Sequence, residues 1–247
     1  MRFRATLRLI AFLLLTLVIC AIWYLGAFVV SDRNRWRQRA FHCWAQGFVI
    51  LSNMKIEVAG TPPVPPFFLV SNHLGYADIA AIRSVVSGVF VAKSEVRDWF
   101  LVGKVIRDMG MIFIDRNNRR DIVRAGEQII SKLNDGEGVI VFPEGTSTKG
   151  EHVLPFKSSF LQFAAERDIP VSYLSISYRT DLDSMPASKI VCWWDDTPFF
   201  VHLWRLFQLK EHYAYLSFGE EPIQNPDRKK LASELHAQVS KGFIPVK

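Results

Sequence analysis

Apolar and polar positions follow two regimes along the chain. Residues 9–30 carry no charge, and Leu, Ile, Val, Ala and Phe dominate them. At 1.5 Å per residue, a helix of this length crosses roughly 30 Å of hydrocarbon. Arg2, Arg4 and Arg8 precede the run, and Arg33, Arg35, Arg37 and Arg39 follow it. A cleaved signal peptide would be shorter and end at a small-x-small site, which is missing here. The run is therefore expected to be a membrane anchor. Basic residues flank both ends, and the denser downstream cluster favours a cytoplasmic C-terminal domain. Residues 36–54 place Phe41, Trp44, Phe48 and Leu51 at helical spacing. This helix is expected either to lie in the membrane interface or to pack on the surface of the domain. Residues 61–66 hold four prolines and cannot be helical, so they read as a stiff connector. The expected division is a membrane-anchoring segment at 1–60 and a second domain at 61–247.

Beyond the connector the periodicity alternates. Short apolar runs at 67–70, 89–92, 111–114, 139–142, 171–178, 189–194 and 214–218 predict strands. Helical patterns fall at 79–86, 95–109, 122–133, 156–166, 199–209 and 227–239. This order predicts an α/β fold, a mixed sheet flanked by helices, with the anchoring helices ahead of it.

Composition narrows the partners. The net charge is +6, which points to a polyanion: an anionic membrane surface, a phosphorylated substrate or nucleic acid. Cys20, Cys43 and Cys192 stand far apart without ligand spacing, so they form neither a disulfide framework nor a zinc site. The six histidines show no ligand pairing, and no metal is expected.

Candidate chemistry gathers where predicted strands end. The stretch Ser71-Asn72-His73-Leu74-Gly75-Tyr76-Ala77-Asp78 puts His73 after a strand and Asp78 at the start of a helix. Ligands usually bind at that edge of an α/β sheet. A carboxylate bonded to one imidazole nitrogen makes the other a better base. The bland alternative is a chance His and Asp five residues apart. A second stretch, Phe113-Ile114-Asp115-Arg116, delivers Arg116 to the same kind of edge, where a guanidinium suits a phosphate. An ion pair within the protein is the alternative. A third, Phe142-Pro143-Glu144-Gly145-Thr146, is a defined turn bringing a carboxylate and a flexible backbone to the edge. A fourth, Ile169-Pro170-Val171, opens a strand. No Gly-x-Ser-x-Gly elbow occurs, which counts against a serine hydrolase.

Together the four stretches resemble the glycerolipid acyltransferase family typified by lysophosphatidic acid acyltransferase. Its blocks run Asn-His-x-x-x-x-Asp, Phe-x-x-Arg, Pro-Glu-Gly-Thr and apolar-Pro in the order found here. The resemblance implies that His73 and Asp78 are catalytic and that Arg116, Glu144, Gly145 and Thr146 bind the acceptor. It implies acyl transfer from an acyl-coenzyme A or acyl carrier protein donor to a lysophospholipid, with no cofactor, no metal and no nucleic acid. The expected acceptor is 1-acylglycerol-3-phosphate, with lyso-ornithine lipid as the sibling alternative and a membrane-bound hydrolase as a more distant one. The expected setting is a bacterial inner membrane, with the catalytic domain on its cytoplasmic side.

Overall fold

The strand predicted ahead of the Asn-His pair is the centre of the sheet. The structure, a computed structural model, describes residues 2–98, 102–115 and 118–247, with the side chains of Val102 and Arg119 left aside. Its helices are α1 (Arg2–Gly26), α2 (Arg33–Ser52), α3 (Ala77–Arg83), α4 (Val102–Asp108), α5 (Arg119–Asn134), α6 (Gln162–Glu166), α7 (Ala187–Ile190), α8 (Phe199–Leu206) and α9 (Arg228–Gly242). Its strands are β1 (Met54–Ala59), β2 (Phe67–Ser71), β3 (Val89–Lys93), β4 (Ile112–Ile114), β5 (Gly138–Val141), β6 (Val171–Thr180) and β7 (His212–Phe218). Among the described residues the sheet order is β1-β7-β6-β2-β5-β3-β4. The pairs β6–β2, β2–β5, β5–β3 and β3–β4 are parallel, and β7 runs antiparallel to β6. The sheet is mixed, as the pattern predicts.

All five residues of β2 are buried, because helices cover both faces of the sheet. Phe67 and Leu69 point into one apolar layer with α1, α2, α3 and α8. Phe68 and Val70 point into the other, with α5, α6 and α9.

Three sequence expectations meet a different structure. The sheet begins at Met54, inside the segment assigned to the anchor, because β1 pairs in parallel with β7 from Met54↔His212 to Ala59↔Ser217. As an edge strand with one well-buried residue, β1 gave only a weak apolar signal. Residues 189–194 are not a strand. Pro186, with φ fixed at −52°, starts the short helix α7 instead. The following Val191 and Cys192 are buried in the core, and the Trp193 amide bonds the Leu74 carbonyl at 2.8 Å rather than a ladder partner. Residues 95–109 are a 3-10 turn at Ser94–Asp98 and then α4, with 99–101 outside the described residues.

The second anchor segment packs on the domain. Phe41, Ala45 and Phe48 of α2 are buried in the core. Arg37, also buried, pairs with Glu137, which further accepts Gln38 Nε2 at 2.6 Å and Lys132 Nζ at 2.8 Å. Arg83 lies alongside with no exposed surface, bonded to Val86 and Gln38 and stacked over Phe41. Burial lowers its pKa to about 10, and the Arg37 cation adds to the effect.

Helix α1 lies along the same face, and both of its ends touch the domain. Arg4 donates to the Gln208 carbonyl, and Arg8 to those of Phe207 and Leu209. Near the other end, the Tyr24 hydroxyl bonds Asp108 of α4. Its outward row, Phe3, Leu7, Ile10, Leu14, Leu17 and Leu25, is exposed along the whole helix.

Glu137 neutralises a site where two guanidinium groups are buried. Glu137→Ala is expected to destabilise the protein by roughly 3–5 kcal/mol, because it leaves buried charge uncompensated. Arg37→Ala is expected to cost less, since Lys132 and Gln38 still satisfy Glu137. Denaturant unfolding in detergent, with limited proteolysis between α2 and β1, measures both.

Candidate active site

Parallel pairing brings the first and third motifs together. Val70 of β2 stands beside Val141 of β5. His73 and Glu144 each lie three residues further on, so the two loops leave the sheet side by side. The chain turns away from β2 at Asn72, whose side chain continues the sheet for one rung. It donates to the Ile176 carbonyl at 2.9 Å and accepts the Ile176 amide at 2.8 Å.

Asp78 then folds back from the first turn of α3. Its Oδ2 lies 2.7 Å from His73 Nδ1 and accepts the amides of Leu74 and Gly75 at 2.7 and 3.1 Å. Its Oδ1 accepts the Tyr178 hydroxyl at 2.8 Å. Asp78 is wholly buried, while the His73 side chain is 22% exposed. With the carboxylate accepting from Nδ1–H, the imidazole is held as the tautomer whose Nε2 carries a lone pair. The ring stacks on Phe142, with centroids 4.1 Å apart. Gly75 has φ +153°, and a Cβ there would stand 2.8 Å from the Trp193 nitrogen, so the Trp193 segment lies tight against this turn.

Glu144 behaves differently from its expected role. Its carboxylate is buried and turned into the protein, accepting the His73 amide at 2.6 Å and the Leu154 amide at 2.8 Å. It ties three loops together instead of facing the cavity. Burial raises its pKa to about 7 against the pull of those two amides, and the nearby Asp78 charge also raises it. Gly145, at φ +80°, and Thr146 do reach the cavity wall. A Cβ at Gly145 would stand 2.8 Å from Lys157 Nζ. Arg116 lies outside the described residues. Ile169-Pro170-Val171 opens β6 away from His73, where the Val171 amide bonds the Ile223 carbonyl at 2.9–3.0 Å in a mutual pair.

Sequence reasoning missed Tyr178 and Trp193. Tyr178 carried a readable signal, because it shares a strand face with Leu174 and Ile176, and a buried tyrosine hydroxyl needs a partner. Burial, together with the charge of Asp78, holds its pKa well above the usual tyrosine range, so it acts as a donor. Trp193 carried none, since it is the amide, not the indole ring, that bonds the turn at Leu74.

His73 opens on a cavity of about 440 Å³. Its walls are mainly apolar: Phe12 and Ile19 of α1, Phe41 and Phe48 of α2, and Phe90, Met109 and Phe199 from the domain. Walls of this kind suit an apolar guest. Among the described residues no group of three His, Cys, Asp or Glu side chains stands where it could hold a metal.

The chain is similar to known proteins in sequence and in fold. Residues 55–177 match the family model described as Acyltransferase. The chain is 30% identical over 203 residues to the lyso-ornithine lipid O-acyltransferase of Rhodobacter capsulatus, covering 79% of this chain and 72% of that protein. It is 29% identical over 207 residues to the 1-acyl-sn-glycerol-3-phosphate acyltransferase of Neisseria gonorrhoeae, covering 82% of this chain and 80% of that one. The fold matches the crystal structure of the 1-acyl-sn-glycerophosphate (LPA) acyltransferase PlsC from Thermotoga maritima, with TM-score 0.67, 25% identity and 95% coverage of both chains.

Glu144 sets a pH dependence of stability. Its folded pKa, about 7, exceeds the ordinary 4.5, so between these values the native state binds more protons than the unfolded chain. Its contribution is therefore full below pH 4.5 and is lost as pH rises through 7. Glu144→Gln is expected to flatten the fall in stability across this window. The flattening should be of the order of 3 kcal/mol at most, measured by denaturant unfolding at stepped pH. Separately, Tyr178→Phe strips Asp78 Oδ1 of its donor and is expected to cost about 1–3 kcal/mol at neutral pH in the same assay.

Proposed function

The chain belongs to the acyltransferase family, and from that membership we propose that it moves a fatty acyl group from an acyl thioester to the free hydroxyl of 1-acylglycerol-3-phosphate, giving phosphatidic acid. The observation that carries this reading is the His73–Asp78 pair opening into a mainly apolar cavity. The acyl chain of the donor lies in the cavity, with its thioester at His73. The donor is acyl-coenzyme A or acyl carrier protein, a substrate, and no cofactor takes part.

His73 Nε2 removes the proton of the acceptor hydroxyl as that oxygen attacks the thioester carbonyl carbon. Asp78 fixes the ring through Nδ1–H and stabilises the imidazolium. General-base help of this kind is worth about 10²–10⁴-fold. The tetrahedral intermediate collapses by breaking the carbon–sulfur bond, and the leaving thiolate takes the proton from His73. The oxyanion needs backbone donors. The amides of His73, Leu74 and Gly75 are already bonded to Glu144 and Asp78, and that of Gly145 to the Phe142 carbonyl. The amides of Thr146 and Ser147, on the cavity wall, are therefore assigned to the oxyanion. Arg116 holds the acceptor phosphate in this scheme, and Glu144 acts by fixing the His73 loop.

Membrane attachment fits the substrates. Helix α1 is long and apolar enough to cross a bilayer. Because both of its ends touch one domain, we place it within a single leaflet, its outward row in lipid, on the cytoplasmic side of a bacterial inner membrane. A lysolipid then reaches His73 without leaving the bilayer. A second acceptor, lyso-ornithine lipid, is kept open because relatives so named are as similar as those acting on 1-acylglycerol-3-phosphate.

The test is acyl transfer by the detergent-solubilised protein, offering both donors against lysophosphatidate, lyso-ornithine lipid and glycerol 3-phosphate. Transfer to lysophosphatidate is expected, and His73→Ala should lower kcat by about 10²-fold or more without changing folding. Arg116→Ala should raise KM for lysophosphatidate more than it lowers kcat. Transfer to lyso-ornithine lipid alone would replace the acceptor named here. Thioester hydrolysis without transfer would sink the mechanism.

A further inference from the structure

The segment after residue 184 carries no family motif, yet α8 sits beside the N-terminal half of α1. Around α8, Phe200, Val201, Trp204 and Arg205 share one arc at 100° per residue, and His202, Leu203 and Leu206 share the other. The inner arc is buried, with His202 Nδ1 2.9 Å from the Tyr76 hydroxyl. The outer arc faces out, with Phe200 53% and Val201 42% exposed. Trp204 bridges to α1 through Nε1 and Thr6 Oγ1 at 3.4 Å, next to the exposed Phe3, Leu7 and Ile10. The two apolar surfaces are continuous.

Basic groups nearby suit lipid, with Asp195 the acidic exception close to Arg205. Arg4 and Arg8 of α1 are spent on the carbonyls of Phe207, Gln208 and Leu209 just past the end of α8, where cations are favoured. This lets the start of α1 lie against an apolar medium despite two of its three guanidinium groups, with the third, Arg2, exposed at the tip of the helix. Arg205 and Lys210 remain exposed at the border of the apolar face, where anionic head groups would stand. Tryptophan beside such a border matches the preference of its ring for the membrane interface.

We infer that α8 is a second membrane-docking element, inserting Phe200, Val201 and the edge of Trp204 into the interface of the leaflet that holds α1. Its partner is a lipid surface. The inference rests on the membrane-attached reading above and extends it to a region far from the anchor in sequence. The consequence is geometric. Phe199 of α8 and Phe12 of α1 both line the cavity, so lipid contact on either side brackets the chamber that holds His73.

Nitroxide labels test this at three introduced cysteines, Leu14→Cys, Phe200→Cys and Gln238→Cys, each alone in the full chain with Cys20→Ala and Cys43→Ala, which leaves only the buried Cys192. Residue 14 is on the outward row of α1, and residue 238 is exposed on α9, across the sheet. Collision with oxygen and with a water-soluble nickel complex is measured on phosphatidylethanolamine–phosphatidylglycerol vesicles. The expected result is a several-fold loss of nickel accessibility and a gain of oxygen accessibility at 14 and 200, with no change at 238. A label at 200 that stays open to nickel while 14 is protected would overturn the role of α8. If 14 also stays open, the membrane-attached reading itself fails. Spin–spin broadening at 200 without oxygen gain would assign the face to a second copy of the chain and reject the lipid surface.

Discussion

A carboxylate with no exposed surface needs donors for both oxygens, and Asp78 finds four of them. The His73 ring and the amides of Leu74 and Gly75 converge on one oxygen, and the Tyr178 hydroxyl takes the other. Burial makes each bond matter, because an unpaired polar group in the interior costs more than a pair contributes. The same bonds decide the chemistry. They fix the tautomer of His73, aim its free nitrogen at the cavity, and use up the amides that follow it. The turn, the first helical turn of α3 and the end of β6 are thus held by one group.

Glu144 repeats the device one strand away. Its two oxygens fasten the His73 and Leu154 amides, so the two loops leaving β2 and β5 cannot move apart. The Thr148 amide adds a bond to the His73 carbonyl at 3.0 Å, and the Trp193 amide caps Leu74 at 2.8 Å. The geometry of the His73–Asp78 pair depends on further partners that are mostly backbone. A loop held this way keeps its imidazole in place without a rigid element of its own.

The N-terminal helices are part of the same construction. They supply walls of the cavity as well as an apolar outer row. Glu137 clamps α2 to the domain through Arg37 and Gln38, and Arg4 and Arg8 clamp α1 to the chain just beyond α8. The N-terminal helices and the site are therefore mechanically one body.

The linear chain already determined much of this. Apolar runs bounded by Gly and Pro placed β2, β3 and β5 within a residue or two, since burial on both faces of a strand demands continuous apolar sequence. The spacing of His73 and Asp78 was legible because both lie within one turn, five residues apart. What local pattern could not reveal was any role created by distant partners. Glu144 read as a ligand for substrate, but only the pairing of β2 with β5 shows that its oxygens face the His73 loop. Residues 189–194 read as a strand because burial, not pairing, selects apolar residues. The edge strand β1 escaped notice because it buries so little. Tyr178 reaches Asp78 across a hundred residues, and the outer arc of α8 becomes an apolar surface only because α1 lies beside it. Short-range chemistry is encoded by neighbours in sequence. Which oxygen meets which donor across the sheet is settled by packing, and only the tertiary structure carries it.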